Sequence, residues 1–267
     1  MVRKSYEDIA VVLNDRVATI EIQRPPHNFF DLALIHQIVD ALKTIDEDPD
    51  CRVSVLCSEG KAFCAGANFG SGEELDEKGQ FKKQSDEERV RNLYVEAARL
   101  FECKKPIVGA IEGPAIGGGL GLAMVADFRV TCPEARFSAN FTRLGFHPGF
   151  GLTETLPAVV GQQNANLIFL TSRRFKGEEA YAMGLADILV AQKEVRTAAK
   201  SLADEIAENS PLGIAETRAT MRNGIGERVR AATSRELEIQ TRLKATADFK
   251  EGVKAMSERR MPNFTGS

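Results

Sequence analysis

Residues 105–130, KPIVGAIEGPAIGGGLGLAMVADFRV, carry the reading of the fold. The run Ile107–Ile111 is short, apolar and rich in β-branched residues, the pattern of a buried strand. A glycine-rich turn over 113–121 follows it, then a helix near 120–126 and a second strand at Phe128–Thr131. Strand, turn, helix and strand in so short a span make a βα repeat whose strands lie parallel in one sheet.

The same alternation extends in both directions. Upstream, residues 9–13 and Val17–Ile22 flank Asn14-Asp15, and Ala18, Ile20 and Ile22 alternate, which predicts an opening β-hairpin. The loop Arg24-Pro25-Pro26-His27-Asn28 ends it. Asp31 then precedes Ile35, Ile38, Val39, Leu42 and Ile45, the spacing of an N-capped amphipathic helix. A buried strand at 53–57 leads into a second glycine-bearing stretch, AFCAGANF at 62–69. The polar run 70–89 reads as a surface segment, and a helix is expected near 90–101. Downstream, from about Ser201, only helical patterns remain, at 202–207, 214–221, 229–243 and 253–259, with Pro211 and Gly224/Gly226 as breaks. The fold class expected is α/β, with a domain over 1–200 and a helical region over 201–267.

Composition narrows the function classes. The chain has 267 residues, 43% apolar and 27% charged, as globular chains do. A net charge of -3 supplies no field to gather nucleic acid or an anionic membrane. No apolar run approaches a membrane span, and Glu7 and Asp8 interrupt any secretory h-region, so a cytoplasmic protein is expected. The five cysteines, Cys51, Cys57, Cys64, Cys103 and Cys132, form no CxxC pair and read as reduced and mostly buried. His27, His36 and His147 have no ligand spacing, and no metal is expected.

The chemistry is expected at the two glycine stretches. Three successive glycines, Gly117-Gly118-Gly119, at a strand-to-helix junction leave backbone N–H groups open to an anion or a developing oxyanion. Close strand–helix packing would demand glycine there as well. Gly121 is followed by Leu122 instead of the Lys-Ser or Lys-Thr of a Walker A loop. Met124 and Leu122 occupy the third position of the two candidate G-x-G-x-x-G frames, so the dinucleotide fingerprint fails. No G-x-S-x-G elbow occurs.

Six ordered motifs cover nearly the whole chain: RPPxN at 24–28, AFCAGANF at 62–69, the stretch at 105–130, ARFSANFTRLGFHPGFG at 135–151, RRFKGEEAYAMGLAD at 173–187 and ADFKEGVKAMSERRMPNF at 247–264. Together they resemble the crotonase superfamily, the enoyl-CoA hydratase/isomerase family. The resemblance implies a spiral of ββα units and a helical C-terminal segment that builds homotrimers or dimers of trimers. It implies an acyl-CoA substrate, with coenzyme A as part of that substrate and no separate cofactor. The oxyanion hole it implies falls on the N–H groups of Ala67 and Gly118. It places CoA against Pro26, Asn28, Ala65, Asn68 and Phe69, and the acyl chain near Ile116, Gly117, Phe141 and Leu144.

The chain departs from that family where acid–base groups usually stand. The two hydratase glutamates correspond to Gly121 and Phe141, and the carboxylate of the L-G-x-x-P turn corresponds to Gly149. His147, in the turn Leu144-Gly145-Phe146-His147-Pro148-Gly149, is the candidate base, because an imidazole is poised near neutral pH. Packing beside Phe146 and Phe150 is the plainer reading of that histidine. Glu154 and the run Glu73, Glu74, Asp76 and Glu77 are further carboxylates to place. Glu112 and Asp127 read as structural, Cys64 as a buried and inert thiol, and the pairs Arg173-Arg174 and Arg259-Arg260 as partners for CoA phosphates or surface charge.

Overall fold

The computed structural model describes residues 5–67 and 93–267. Strands β1 (Ile9–Asn14) and β2 (Val17–Ile22) form the expected hairpin, with Ile9 opposite Ile22. Asp15 and Arg16 both have positive φ, 47° and 72°, as a two-residue type I′ turn requires, so the turn falls one residue later than Asn14-Asp15. Helix α1 (Leu32–Glu47) begins at Asp31, whose carboxylate accepts the Leu34 N–H at 2.9 Å. Its Ile35, Ile38, Val39, Leu42 and Ile45 stripe is buried, as the spacing predicts.

The chain then climbs two sheets at once. Strands β3 (Val53–Ser58), β4 (Ile107–Ile111), β6 (Phe128–Thr131) and β9 (Ile188–Leu189) add in parallel to β2, giving a six-stranded sheet in the order β1-β2-β3-β4-β6-β9. After β3, β4 and β6 the chain leaves this sheet for a smaller one, built from β5 (Ala115–Ile116), β7 (Arg136–Ser138) and β8 (Phe175–Lys176). Cys64 joins it through a parallel bridge to Ala115. Each turn thus contributes one element to each sheet, which is the spiral the resemblance implies.

Helices close the turns. Residues Leu93–Ala97 (α2) run into a 3-10 turn, Ala98–Glu102, so the helix expected near 90–101 is split, and its first residues lie outside the described ones. Helix α3 (Gly118–Ala123) starts two residues earlier than expected because the glycines themselves form its first turn. Helix α4 (Leu152–Thr171) breaks at Gly161, and α5 (Gly177–Ala182) precedes β9. The division expected at 200/201 falls inside α6 (Val195–Ala207), whose buried Val195, Ala199, Ala203 and Ala207 pack on the large sheet. That helix belongs with the spiral.

Helices α7 (Pro211–Met221), α8 (Ile225–Leu243) and α9 (Ala247–Ser257) make up the rest. One side chain anchors α7. Arg218 is 9% exposed; its Nε lies 3.0 Å from both carboxylate oxygens of Asp127, and a guanidinium nitrogen donates to the Cys103 carbonyl at 2.6 Å. Asp127 also accepts from the Ile107 N–H at 2.8 Å and from Arg222 at 2.9 Å, so it joins α7 to the end of the large sheet and is structural, as expected. Removing Arg218 takes charged hydrogen bonds from Asp127, which keeps Arg222, and the guanidinium donor from the Cys103 carbonyl, at about 1.5–3 kcal/mol. Arg218→Ala is therefore expected to lower the denaturant midpoint with an unchanged m-value, and an unshifted midpoint would contradict this anchoring.

Candidate active site

The site follows from register. The Cys64 N–H donates to Pro114 O at 3.1 Å, and the Ile116 N–H donates to Cys64 O at 3.0 Å. Ala67 lies three residues past Cys64, and Gly118 three past its partner Ala115, so the two arrive side by side. A Cβ on Gly66 would come within 2.8 Å of Ile116 O and 3.6 Å of the Gly118 nitrogen, and its φ of +86° suits glycine. On Gly119 a Cβ would sit 1.9 Å from Cys64 O. The packing reading of these glycines holds: backbone atoms of the facing segment stand where a Cβ would be.

The N–H groups of Ala67 and Gly118 are open. Gly117 donates to Ser138 O at 2.7 Å, and its carbonyl accepts from Leu120 and Gly121 at 3.0 and 3.2 Å. Gly118, in the first turn of α3, has no carbonyl behind it to bond. Among the described residues no acceptor pairs with the N–H of Ala67 or Gly118.

Aromatic rings wall the site on both sides. Phe30, Tyr94 and Phe150 meet edge to face, with centroids 5.5–6.3 Å apart. Phe30 and Tyr94 lie against Gly118. The Phe150 ring fills the space of a Cβ on Gly121, at 2.5 Å, and Tyr94 and Gln240 fill that of Gly149, at 2.6 and 2.7 Å. Next to Gly117 stands Phe141, 3.8 Å from a Cβ there, backed by Phe146 and then Phe249. Phe141 and Leu144 are buried, and Ile116 is half-buried.

The loop at 24–28 lies against 61–65. Lys61 and Ala62 donate to Pro26 O at 3.2 and 3.3 Å, and Ala65 donates to His27 O at 2.9 Å. Pro26 is exposed and Ala65 half-buried. Asn28 corrects the expectation of a CoA contact: its side chain is wholly buried, accepts from the Arg24 N–H at 3.0 Å and donates to the Glu59 and Ala62 carbonyls at 2.6 and 2.7 Å. It fixes the loop's shape. Asn68, Phe69, Glu73, Glu74, Asp76 and Glu77 lie outside the described residues.

His147 is half-buried, with Nδ1 2.8 Å from the Pro148 carbonyl oxygen. A nitrogen bonded to a carbonyl must carry the proton, so in the neutral imidazole the lone pair is on Nε2. From α8, Gln240 donates to the His147 carbonyl at 2.7 Å. One turn earlier on that helix, Glu236 is 1% exposed and accepts from the Gly151 N–H, the Thr153 N–H and the Thr153 hydroxyl at 2.8, 3.0 and 2.6 Å. Burial raises its carboxyl above the usual range despite those bonds. Two buried polar residues of the C-terminal helix thus brace the 147–153 turn. Nothing in the sequence marked them, because α8 is otherwise a polar helix. Tyr94 was missed too, since its partners are distant in sequence.

The remaining groups have structural roles. Burial pushes the Cys64 thiol up to about 12, and all five cysteines are buried and free. Glu112 accepts from Arg196 at 3.1 Å, Glu154 from Arg228 at 2.7 Å, and Arg260 is taken by Glu251 and Glu258 at 2.6 Å each. Arg173 and Arg174 are exposed.

The family model for enoyl-CoA hydratase/isomerase matches residues 13–267. The chain belongs to this family. The crotonyl-CoA hydratase of Syntrophomonas wolfei is 30% identical over 97% of this chain and 98% of its own length. The peroxisomal Δ(3,5)-Δ(2,4)-dienoyl-CoA isomerase of Arabidopsis thaliana is 28% identical over 99% of each. The crystal structure of an enoyl-CoA hydratase/isomerase from Pseudoalteromonas atlantica superposes with a TM-score of 0.83 at 30% identity, over 97% of this chain and all of the other. The protein is thus a crotonase-superfamily acyl-CoA enzyme with the α/β crotonase-like fold and C-terminal helices.

Proposed function

We propose that the enzyme binds an acyl-CoA thioester with its oxygen between the N–H groups of Ala67 and Gly118, stabilises the enolate, and moves the proton without the family's usual glutamates. What supports this reading is the close approach of the 64–66 and 115–118 segments, with no acceptor among the described residues on the N–H of Ala67 or Gly118. His147 Nε2 is the base in this reading. Isomerisation, hydrolysis, C–C cleavage and slow hydration are the reactions such a site supports. The CoA lies against Pro26 and Ala65, where the loop and the 61–65 segment meet. The acyl chain runs past Ile116 and Gly117 toward Phe141 and Leu144.

Mass spectrometry of products from an acyl-CoA panel identifies the reaction. On the substrate found, His147→Ala is expected to lower kcat at least about tenfold with acyl-CoA affinity nearly unchanged, and an undiminished kcat would remove His147 from the mechanism. The rings that fill the Gly121 and Gly149 positions favour a second reading, a catalytically weak acyl-CoA-binding homologue. Tight binding with no product across the panel is its signature.

The assembly we propose is a homotrimer or a dimer of trimers. Supporting it, α7 carries Leu212 and Met221 at 78% and 81% exposure, large apolar side chains with nothing over them in one chain. Light scattering should give three or six chains, and a stable monomer at micromolar concentration would refute it. Five free thiols suit a reducing, cytoplasmic setting. Among the described residues no helix is long and apolar enough to cross a membrane.

A further inference from the structure

We propose that Tyr94 is a catalytic residue of this site, the proton donor to the enolate held at Ala67 and Gly118; the role rests on the enolate reading above. Its ring spans the gap between the oxyanion glycine and the 147–153 turn. A Cβ on Gly118 would lie 3.2 Å from Tyr94 Cε1, and one on Gly149 would lie 2.6 Å from Cε2. Those two carbons flank the carbon that bears the hydroxyl, so that end of the ring stands between Gly118 and Gly149. Phe30 and Phe150 hold the ring edge to face, at 6.3 and 6.1 Å, and the residue is 7% exposed.

Among the described residues, the three atoms nearest a Cβ on either glycine belong to no other ionisable side chain. On the Gly118 side the other neighbour is Phe30, which carries no proton to give, and on the Gly149 side it is Gln240, whose amide donates to the His147 carbonyl. Glu236, the nearby buried carboxylate, is spent on three donors of the turn. A phenol offers one O–H donor, which can pass its proton on without water.

The step balances in itself. A base takes the α-proton; the C–H electron pair becomes the enolate C=C, and the thioester oxygen takes the charge between the two N–H groups. The Tyr94 O–H bond then breaks, its proton forms a new bond to the enolate carbon, and the thioester C=O re-forms. The phenolate recovers a proton from solvent, and the base gives up to solvent the one it took.

The test is α-proton exchange in D2O, followed by mass spectrometry, with butyryl-CoA and phenylacetyl-CoA as probes on the full-length protein. Tyr94→Phe keeps the ring and removes one oxygen. Exchange by this variant is expected to fall about 100-fold, with dissociation constants for both probes within about threefold of wild type. Exchange within about threefold of wild type would overturn the assignment to Tyr94 alone. A wild type that binds the probes and exchanges nothing would overturn the enolate reading itself.

Discussion

Gly118→Ala is expected to cost about 100- to 1,000-fold in kcat, or about 2.7–4 kcal/mol, the measured range for loss of one oxyanion donor. A Cβ at this position would stand 2.3 Å from Phe30 Cζ and 2.7 Å from Cε1. A lone phenylalanine would yield by rotating, but Phe30 is 3% exposed and wedged edge-on against Tyr94 and Phe150. The backbone must therefore give, which moves the N–H away from the thioester oxygen. Phe30→Leu in the same chain shortens the obstructing side chain and should restore part of the lost rate. Full activity in Gly118→Ala would show that this N–H takes no part in the chemistry. A loss that Phe30→Leu leaves untouched would show that the crowding is not its cause.

Crotonyl-CoA hydration should be slower than in the Syntrophomonas wolfei crotonyl-CoA hydratase by about 10²–10⁴-fold, the usual contribution of positioned acid–base groups. Hydration needs one group to activate water and another to protonate the α-carbon, and side chains at 121, 141 and 149 supply neither. Inserting a carboxylate alone should fail. At Gly121 the Phe150 ring already stands 2.5–2.7 Å from where a Cβ would be. Gly121→Glu is expected to hydrate no faster than wild type, whereas Gly121→Glu combined with Phe150→Ala and Phe141→Glu should gain. Efficient hydration by the unaltered enzyme would refute the claim that the usual glutamates go unreplaced in kind.

The large sheet was legible in the sequence because its strands are apolar runs bounded by turns; β4 and β6 fall where Ile107–Ile111 and Phe128–Thr131 predict. The hydrophobic stripe and Asp31 cap likewise fixed α1. The small sheet was not legible, since β5 and β8 have two residues each and β7 three, too few for any period to show. The start of α6 was placed too late because its buried stripe is mostly alanine, a weak hydrophobic signal. At the site, the glycines were readable because backbone atoms pack where a Cβ would stand. Asn28 was read from the family resemblance as a ligand contact, while the fold uses its amide to join the Arg24 N–H of its own loop to the Glu59 and Ala62 carbonyls of the segment after β3. Tyr94, Glu236 and Gln240 reach the site from elements far away in sequence, a proximity that only the packed fold reveals.

The central claim is that a thioester carbonyl is polarised between the N–H groups of Ala67 and Gly118. Isotope-edited infrared difference spectroscopy measures this directly, with butyryl-CoA carrying ¹³C at the thioester carbonyl. On binding to wild type the C=O stretch should move to lower frequency, and in Gly118→Ala the bound ligand should return toward the free value. A bound thioester whose C=O frequency matches that in water, in wild type as in the variant, would contradict the account.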